Sequence, residues 1–179
     1  MGVPGEAEQG VRQWRSTVAG AAVVGLLAAA GVQSRFDRLE LPSTPVYDEF
    51  HVGRFLNAYH RGEYFFDVHP PLAKLLVFEV AQRQGYQFNC SFSDQNTGGA
   101  NVGKVDAEEE CELKDLRLVS AGCGAVLPLL AFGTARQMGF GVVGAGVAGG
   151  LVLFDNLFWV MSRLHMNDSV FLTAFAAMI

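Results

Sequence analysis

Charge is scarce in this chain: 17% of its 179 residues are Asp, Glu, Lys or Arg, against about 25% in an ordinary soluble domain. The formal net charge of -5 provides no basic footprint, which argues against a nucleic-acid partner. Only three cysteines occur, too few for a disulfide-built scaffold. The histidines lack a short H-x-x-x-H spacing and a thiolate companion, so no metal site is expected. No internal repeat is visible. What the chain has instead is apolar bulk: 50% hydrophobic residues and 21 glycines.

That bulk is gathered in blocks. Ser16 to Val32 and Leu118 to Ala135 contain no charge, and Met138 to Met161 contains only Asp155. A membrane span needs about 20 mostly apolar residues, so the expected fold is mainly α, a polytopic membrane protein. The expected division is a polar tail 1–15, spans at 16–32, 117–135 and 139–161, and a long polar loop at 33–115. A fourth apolar run at 169–179 is still in progress at Ile179, so we expect a piece of a longer protein, inactive by itself. Arg12 and Arg15 ahead of the first block also fit a cleaved signal peptide, but the later spans favour a retained signal-anchor. Arginines on both flanks leave orientation undecided. The short link at Arg136 to Gly139 makes the second and third spans a hairpin. By parity, the long loop and the turn at Ser162 to Ser169 then share one side of the membrane.

Within the loop, Phe50, Phe55, Leu56 and Tyr59 can line one helical face. A second helix is expected after Asp67 and His69-Pro70-Pro71, since proline suits a first helical turn. Leu72, Leu75, Leu76 and Val80 would form its apolar side, and both helices suit a bilayer interface. Asn89 to Glu112 reads as a solvated excursion. Cys90 and Cys111 flank it and are disulfide candidates, with two unpaired thiols as the alternative. Asn89-Cys90-Ser91 fits a weak N-glycosylation pattern.

The densest polar cluster is Tyr47-Asp48-Glu49-Phe50-His51. It is either a solvated edge or chemistry. Neighbouring helical side chains diverge by about 100°, so Asp48 and Glu49 cannot both face one reacting atom. That speaks against a paired-carboxylate hydrolase and suits a transferase with a single base. Asp155 is an ionisable group inside an apolar run, and such groups usually have a partner. Arg35, Arg117 and Arg163, at loop-side helix ends, can each pair with it, hold a phosphate or snorkel; Arg117 is the expected partner. Gly146 and Gly150 form a small-xxx-small pair, with Ala145 and Gly149 beside them, for close helix packing.

Asp48-Glu49-Phe50-His51-Val52-Gly53-Arg54-Phe55 resembles the first lumenal loop signature of protein O-mannosyltransferases. Phe65-Phe66-Asp67-Val68-His69-Pro70-Pro71-Leu72-Ala73-Lys74 resembles that family's second motif, in the same order and spacing. Phe154-Asp155-Asn156, Ser162-Arg163-Leu164 and Asp168 are similar to its third-span ending. The resemblance covers about Arg35 to Ile179 and implies a GT-C type glycosyltransferase of the endoplasmic reticulum membrane. It implies dolichyl phosphate mannose as donor, Ser/Thr hydroxyls of polypeptides as acceptors, no cofactor or metal, and a homo- or heterodimer. Asp48 would be the catalytic base beside Glu49. Arg35, Arg117 and Arg163 would be phosphate-holding or structural, with His51, Asp67, His69, Asp155 and Asp168 in support. Phe50, Val52 and the Asn89 to Glu112 excursion depart from the family pattern. The readings from other classes are an inactive truncated relative and a non-catalytic membrane assembly or transport protein; a transporter would place its polar groups at mid-membrane on interrupted helices.

Overall fold

The computed structural model describes residues 4–46, 48–90, 92, 112–164 and 167–178. Among them every regular element is helical: α1 Pro4–Phe36, α2 Glu49–Arg61, α3 Leu72–Gln84, α4 Leu113–Gln137, α5 Val142–Phe154, α6 Asn156–Arg163 and α7 Asn167–Ala177. Two helices, Gln9–Phe36 and Leu113–Gln137, are long and apolar enough to cross a membrane. Both outrun the spans expected at 16–32 and 117–135, because helix continues into the polar flanks on either side.

The run expected as one span at 139–161 is broken. α5 and α6 meet at a 55° bend, where Asp155 leaves helical geometry (φ -65°, ψ 123°). Its side chain accepts from Phe158 N at 3.0 Å. An aspartate N-cap satisfies one of the donors a helix start leaves open, and this preference places the break. The last turn of α5 is correspondingly short of carbonyl partners, and Arg35 Nη1 donates to Leu153 O at 3.1 Å.

Two apolar cores result. One lies between α1, α4 and α5, around Leu27, Phe132, Ala145 and Leu153. Gly149 lets the helices close there: a Cβ on it would sit 2.7 Å from Leu27 Cδ1 and 2.8 Å from Pro128 O. A Cβ on Gly146 would sit 3.3 Å from Val23 Cγ1, whereas Gly150 has nothing within 4 Å, so the packing stripe runs through Ala145, Gly146 and Gly149 and leaves Gly150 outside it. The second core joins the loop to the start of α4, through Val52, Leu56, Val77, Phe88 and Leu116. Val52 and Leu56 lie one turn apart on α2, as a helix buried along one stripe requires. Gly62 (φ 68°) and Gly85 (φ 85°) end α2 and α3 in the left-handed conformation, where a side chain would be strained. Leu72, Leu75 and Leu76 form an exposed apolar face on α3.

Candidate active site

Asp48 and Glu49 open α2, and the helix turn between them separates their surroundings. Asp48 is exposed. Glu49 is 1% exposed and faces the interior. Its Oε2 accepts from Val46 N at 3.0 Å. Arg117, fully buried near the start of α4, donates Nε to Glu49 Oε1 and Nη2 to Oε2, both at 2.8 Å. Arg117 Nη1 donates to Leu39 O at 3.1 Å and to Pro42 O at 2.9 Å. Two parallel bonds to one carboxylate are the geometry a planar guanidinium favours.

This overturns the expected Asp155–Arg117 pairing. Arg117 is engaged by Glu49 and two carbonyls, and Asp155 is exposed and occupied in capping α6. The Arg117 guanidinium is 0% exposed and engaged by the Glu49 carboxylate and the Leu39 and Pro42 carbonyls.

The other two arginines differ. Arg35, 1% exposed, bonds Ser34 Oγ at 2.8 Å and Leu153 O, and its Nε has no partner among the described residues. Arg163 donates to Ser34 O and Arg38 O at 3.0 Å each and lies over the Trp159 ring, 4.8 Å from its centroid. Trp159 Nε1 also reaches Ser34 O, at 3.1 Å. Among the described residues, neither arginine has a carboxylate within ion-pair distance. Among the described residues, two positive charges thus lie without an ion-pair partner where α1 and α6 end together. The backbone from Arg38 to Pro42 bonds Arg163 at one end and Arg117 at the other, tying that charge to the acidic pair. Arg38 makes the turn with φ 48°, a conformation uncommon outside glycine. Beside it, Ala30, Ser34, Leu153, Phe154 and Trp159 line a mostly apolar cavity of about 360 Å³.

The second motif folds on itself. Lys74, 1% exposed, is ion-paired with Asp67 and sits 5.6 Å from the Phe55 ring centroid. Asp67 Oδ1 accepts from His69 N and contacts His69 Nδ1, both at 3.3 Å. Burial pushes the Asp67 carboxyl up, but hydrogen bonds from Lys74 and His69 with the Lys74 charge outweigh it and hold it below the usual carboxylate range. His51 and His69 are exposed. Tyr86 is pushed up to about 12 by burial and by the charges of Asp115 and Glu112, which leaves a neutral phenol. Cys90 is disulfide-bonded and Cys123 is free; Cys111 lies outside the described residues, as does the side chain of Asp168. Asn89 is exposed. No group of three metal-ligating side chains occurs among the described residues.

Sequence reasoning quoted Lys74 within the second motif without giving it a role, and passed over Asn57. Lys74 had a signal: it interrupts the small apolar stripe Ala73, Val77, Ala81, and a lysine buried there needs a counter-charge. Asn57 had none.

Long apolar helices, a helical polar loop between them and a buried ion pair beside an exposed carboxylate are the features of a polytopic membrane protein. A family model described as dolichyl-phosphate-mannose-protein mannosyltransferase matches residues 25–179, and the chain belongs to that family. It is 33% identical to dolichyl-phosphate-mannose–protein mannosyltransferase 4 of Schizosaccharomyces pombe over 147 residues, 82% of this chain and 18% of the relative. It is 32% identical to mannosyltransferase 1 of Saccharomyces cerevisiae over 155 residues, 87% of this chain and 18% of the relative. Among solved structures it matches the S. cerevisiae protein O-mannosyltransferase Pmt1-Pmt2 complex bound to the sugar donor. The TM-score is 0.76 at 31% identity, over 88% of this chain and 20% of that one. The chain thus spans about a fifth of the length of its relatives.

Proposed function

We propose that the full-length protein carrying this segment transfers mannose from dolichyl phosphate mannose to Ser/Thr hydroxyls of polypeptides in the endoplasmic reticulum, with the loop and the 162–169 turn in the lumen. The observation that carries the catalytic part is the separation of two adjacent carboxylates. Glu49 is consumed by Arg117, and Asp48 is left exposed on the same rigid helix end. Asp48 accepts the proton of the acceptor hydroxyl as its oxygen bonds the mannose anomeric carbon. The bond from that carbon to the phosphate oxygen breaks on the opposite face, inverting the centre, and dolichyl phosphate leaves.

The leaving phosphate needs charge stabilisation more than a proton. Arg163 meets that need directly and Arg35 reinforces it from behind, at the joined ends of α1 and α6; the adjacent apolar cavity suits the lipid chain. This assigns Arg117 a structural role and requires neither cofactor nor metal. The relative seen with the sugar donor is a two-subunit complex, which supports a related subunit as partner.

The test is mannose transfer from radiolabelled dolichyl phosphate mannose to a Ser/Thr peptide, in microsomes expressing the full-length protein in a host stripped of its own activity. Transfer with inversion is expected. Robust expression with no transfer would overturn the reading.

A further inference from the structure

After α3 the chain runs back along α2 in the opposite direction. The Phe88 ring stacks on His60 with centroids 4.7 Å apart, and Cys90 O accepts from Asn57 Nδ2 at 2.8 Å. The Phe92 ring fills the space that a Cβ on Gly53 would need. Tyr86, Phe88, Cys90 and Phe92 are buried, while Gln87 and Asn89 between them are exposed. Asn89 is thus presented to solvent, and Asn89-Cys90-Ser91 fits the acceptor pattern for an N-linked glycan.

Placement decides whether such a pattern can be used. Val52 N donates to Asp48 O at 3.0 Å, so Asp48 belongs to the helical register of α2. At 100° per residue, Gly53, Asn57 and His60 lie about 120° to 180° around the axis from it. The segment carrying Asn89 therefore covers the side of α2 away from Asp48, and a glycan there leaves the carboxylate open. Distance from the membrane agrees. Asn89 lies 53 positions after Phe36 and 24 before Leu113. Before folding, 24 extended residues reach about 80 Å at 3.4 Å each, well beyond a hydrocarbon core of about 30 Å. Asn167, in the chain's other N-x-S pattern, is the first residue of α7 and only four positions after the end of α6, which leaves no such room. Cys90 is disulfide-bonded, which fits an oxidising compartment.

We propose that Asn89 is N-glycosylated during folding, before the Cys90 disulfide closes. Asn89 Nδ2 bonds the anomeric carbon of an oligosaccharide carried on a lipid diphosphate. The bond from that carbon to the diphosphate oxygen breaks, the amide gives up one proton, and the lipid diphosphate leaves. The order of events follows from the folded contacts. Bonded Cys90, with its carbonyl on Asn57 and Phe92 packed on Gly53, holds the pattern against α2, where a modifying enzyme cannot surround it. The proposal rests on the lumenal placement of the loop given above.

The full-length protein would be expressed in glycosylation-competent cells and compared on gels with and without peptide N-glycosidase. A mobility shift of one glycan should be present in wild type and lost in both Asn89→Gln and Ser91→Ala. Cys90→Ala, which removes the competing disulfide, should raise the occupied fraction, and no rise would overturn the order of events. Identical shifts in wild type and Asn89→Gln overturn the site. Gly103→Thr turns Asn101-Val102-Gly103 into a strong acceptor in the same loop and separates the causes. If Asn101 is modified there and Asn89 is bare, the lumenal placement stands and the Asn89 site falls. If neither is modified, both fall.

Discussion

Arg117 and Glu49, 68 positions apart, are joined by two parallel hydrogen bonds of 2.8 Å between side chains that are 0% and 1% exposed. The pair fastens the start of α2 to the start of α4. Arg117 also fastens the Leu39–Pro42 turn through two carbonyls. The pair holds the helix end that carries Asp48, alongside the apolar core around Val52 and Leu56.

Breaking the pair should therefore cost stability first. Removing one partner of a buried ion pair typically costs about 3–5 kcal/mol, because the other charge stays buried. Glu49→Gln and Arg117→Lys should both melt well below wild type in detergent, the lysine because it cannot reproduce the planar fork. His51→Ala, at an exposed position on the same helix, is the control and should melt with wild type. Melting of all three together would remove the structural role assigned to the pair.

Much of this was legible in the sequence, and the gaps have physical causes. The helices α2 and α3 and their divergent carboxylates follow from periodicity, proline placement and the 100° turn between neighbours. Asp155 was misread because composition alone cannot tell a buried ion from a cap. Both are a polar residue in an apolar run, and only the helix ending at Phe154 separates them. Arg117 was matched to Asp155 through the α4–α5 hairpin. Its actual partner comes from a segment far away in sequence, and no local pattern encodes that. The small residues of α5 were legible as a packing stripe, but Gly146 and Gly150, and Ala145 and Gly149, are equally small-xxx-small, and only the rotation of α5 shows that Gly149 and Gly146 meet α1 while Gly150 does not.

That rotation is testable at two adjacent positions. Gly149→Ala would push a methyl against Leu27 Cδ1 and Pro128 O, at 2.7 and 2.8 Å. Overpacking of this kind costs about 1–3 kcal/mol. Gly150→Ala meets nothing within 4 Å and should be neutral or slightly stabilising. Comparing the two melting temperatures decides it; equal values would mean the packing face is wrong.

Asp67 should leave a signature in acid. Its carboxyl is held below the ordinary carboxylate range in the folded protein. A depressed acid contributes stability that is present above its unfolded pKa and is lost as pH falls through the folded one. Asp67→Asn, which strands the buried Lys74, should thus be less stable than wild type at neutral pH. The difference should shrink as pH drops through the carboxylate range and below. Chemical denaturation of both proteins across pH would show it, and a gap that widened toward acid would contradict the ion pair.

The arginines should separate by assay. Arg163→Ala should raise the KM for dolichyl phosphate mannose with a smaller fall in melting temperature than Arg117→Ala, since it frees two carbonyls but strands no buried charge. Arg117→Ala should lower the melting temperature markedly. If Arg117→Ala instead melted normally and lost donor affinity, the phosphate assignment would move to it.

Asp48→Asn is the sharpest case, because the substitution keeps shape and removes only the proton acceptor. Asp48 is exposed, so no buried partner is stranded and the melting temperature should match wild type. A general base contributes about 10²- to 10⁴-fold, and an interaction made only in the transition state lowers kcat and kcat/KM together. Turnover in mannose transfer should fall by that order, with the KM for dolichyl phosphate mannose little changed. Glu49→Gln should show the opposite balance: a lowered melting temperature, and activity per folded molecule reduced less than in Asp48→Asn. Measuring both variants at a temperature where Glu49→Gln is still folded separates chemistry from stability. Near wild-type turnover in Asp48→Asn would end the role given to this carboxylate, and Asp67 would be the next base to test.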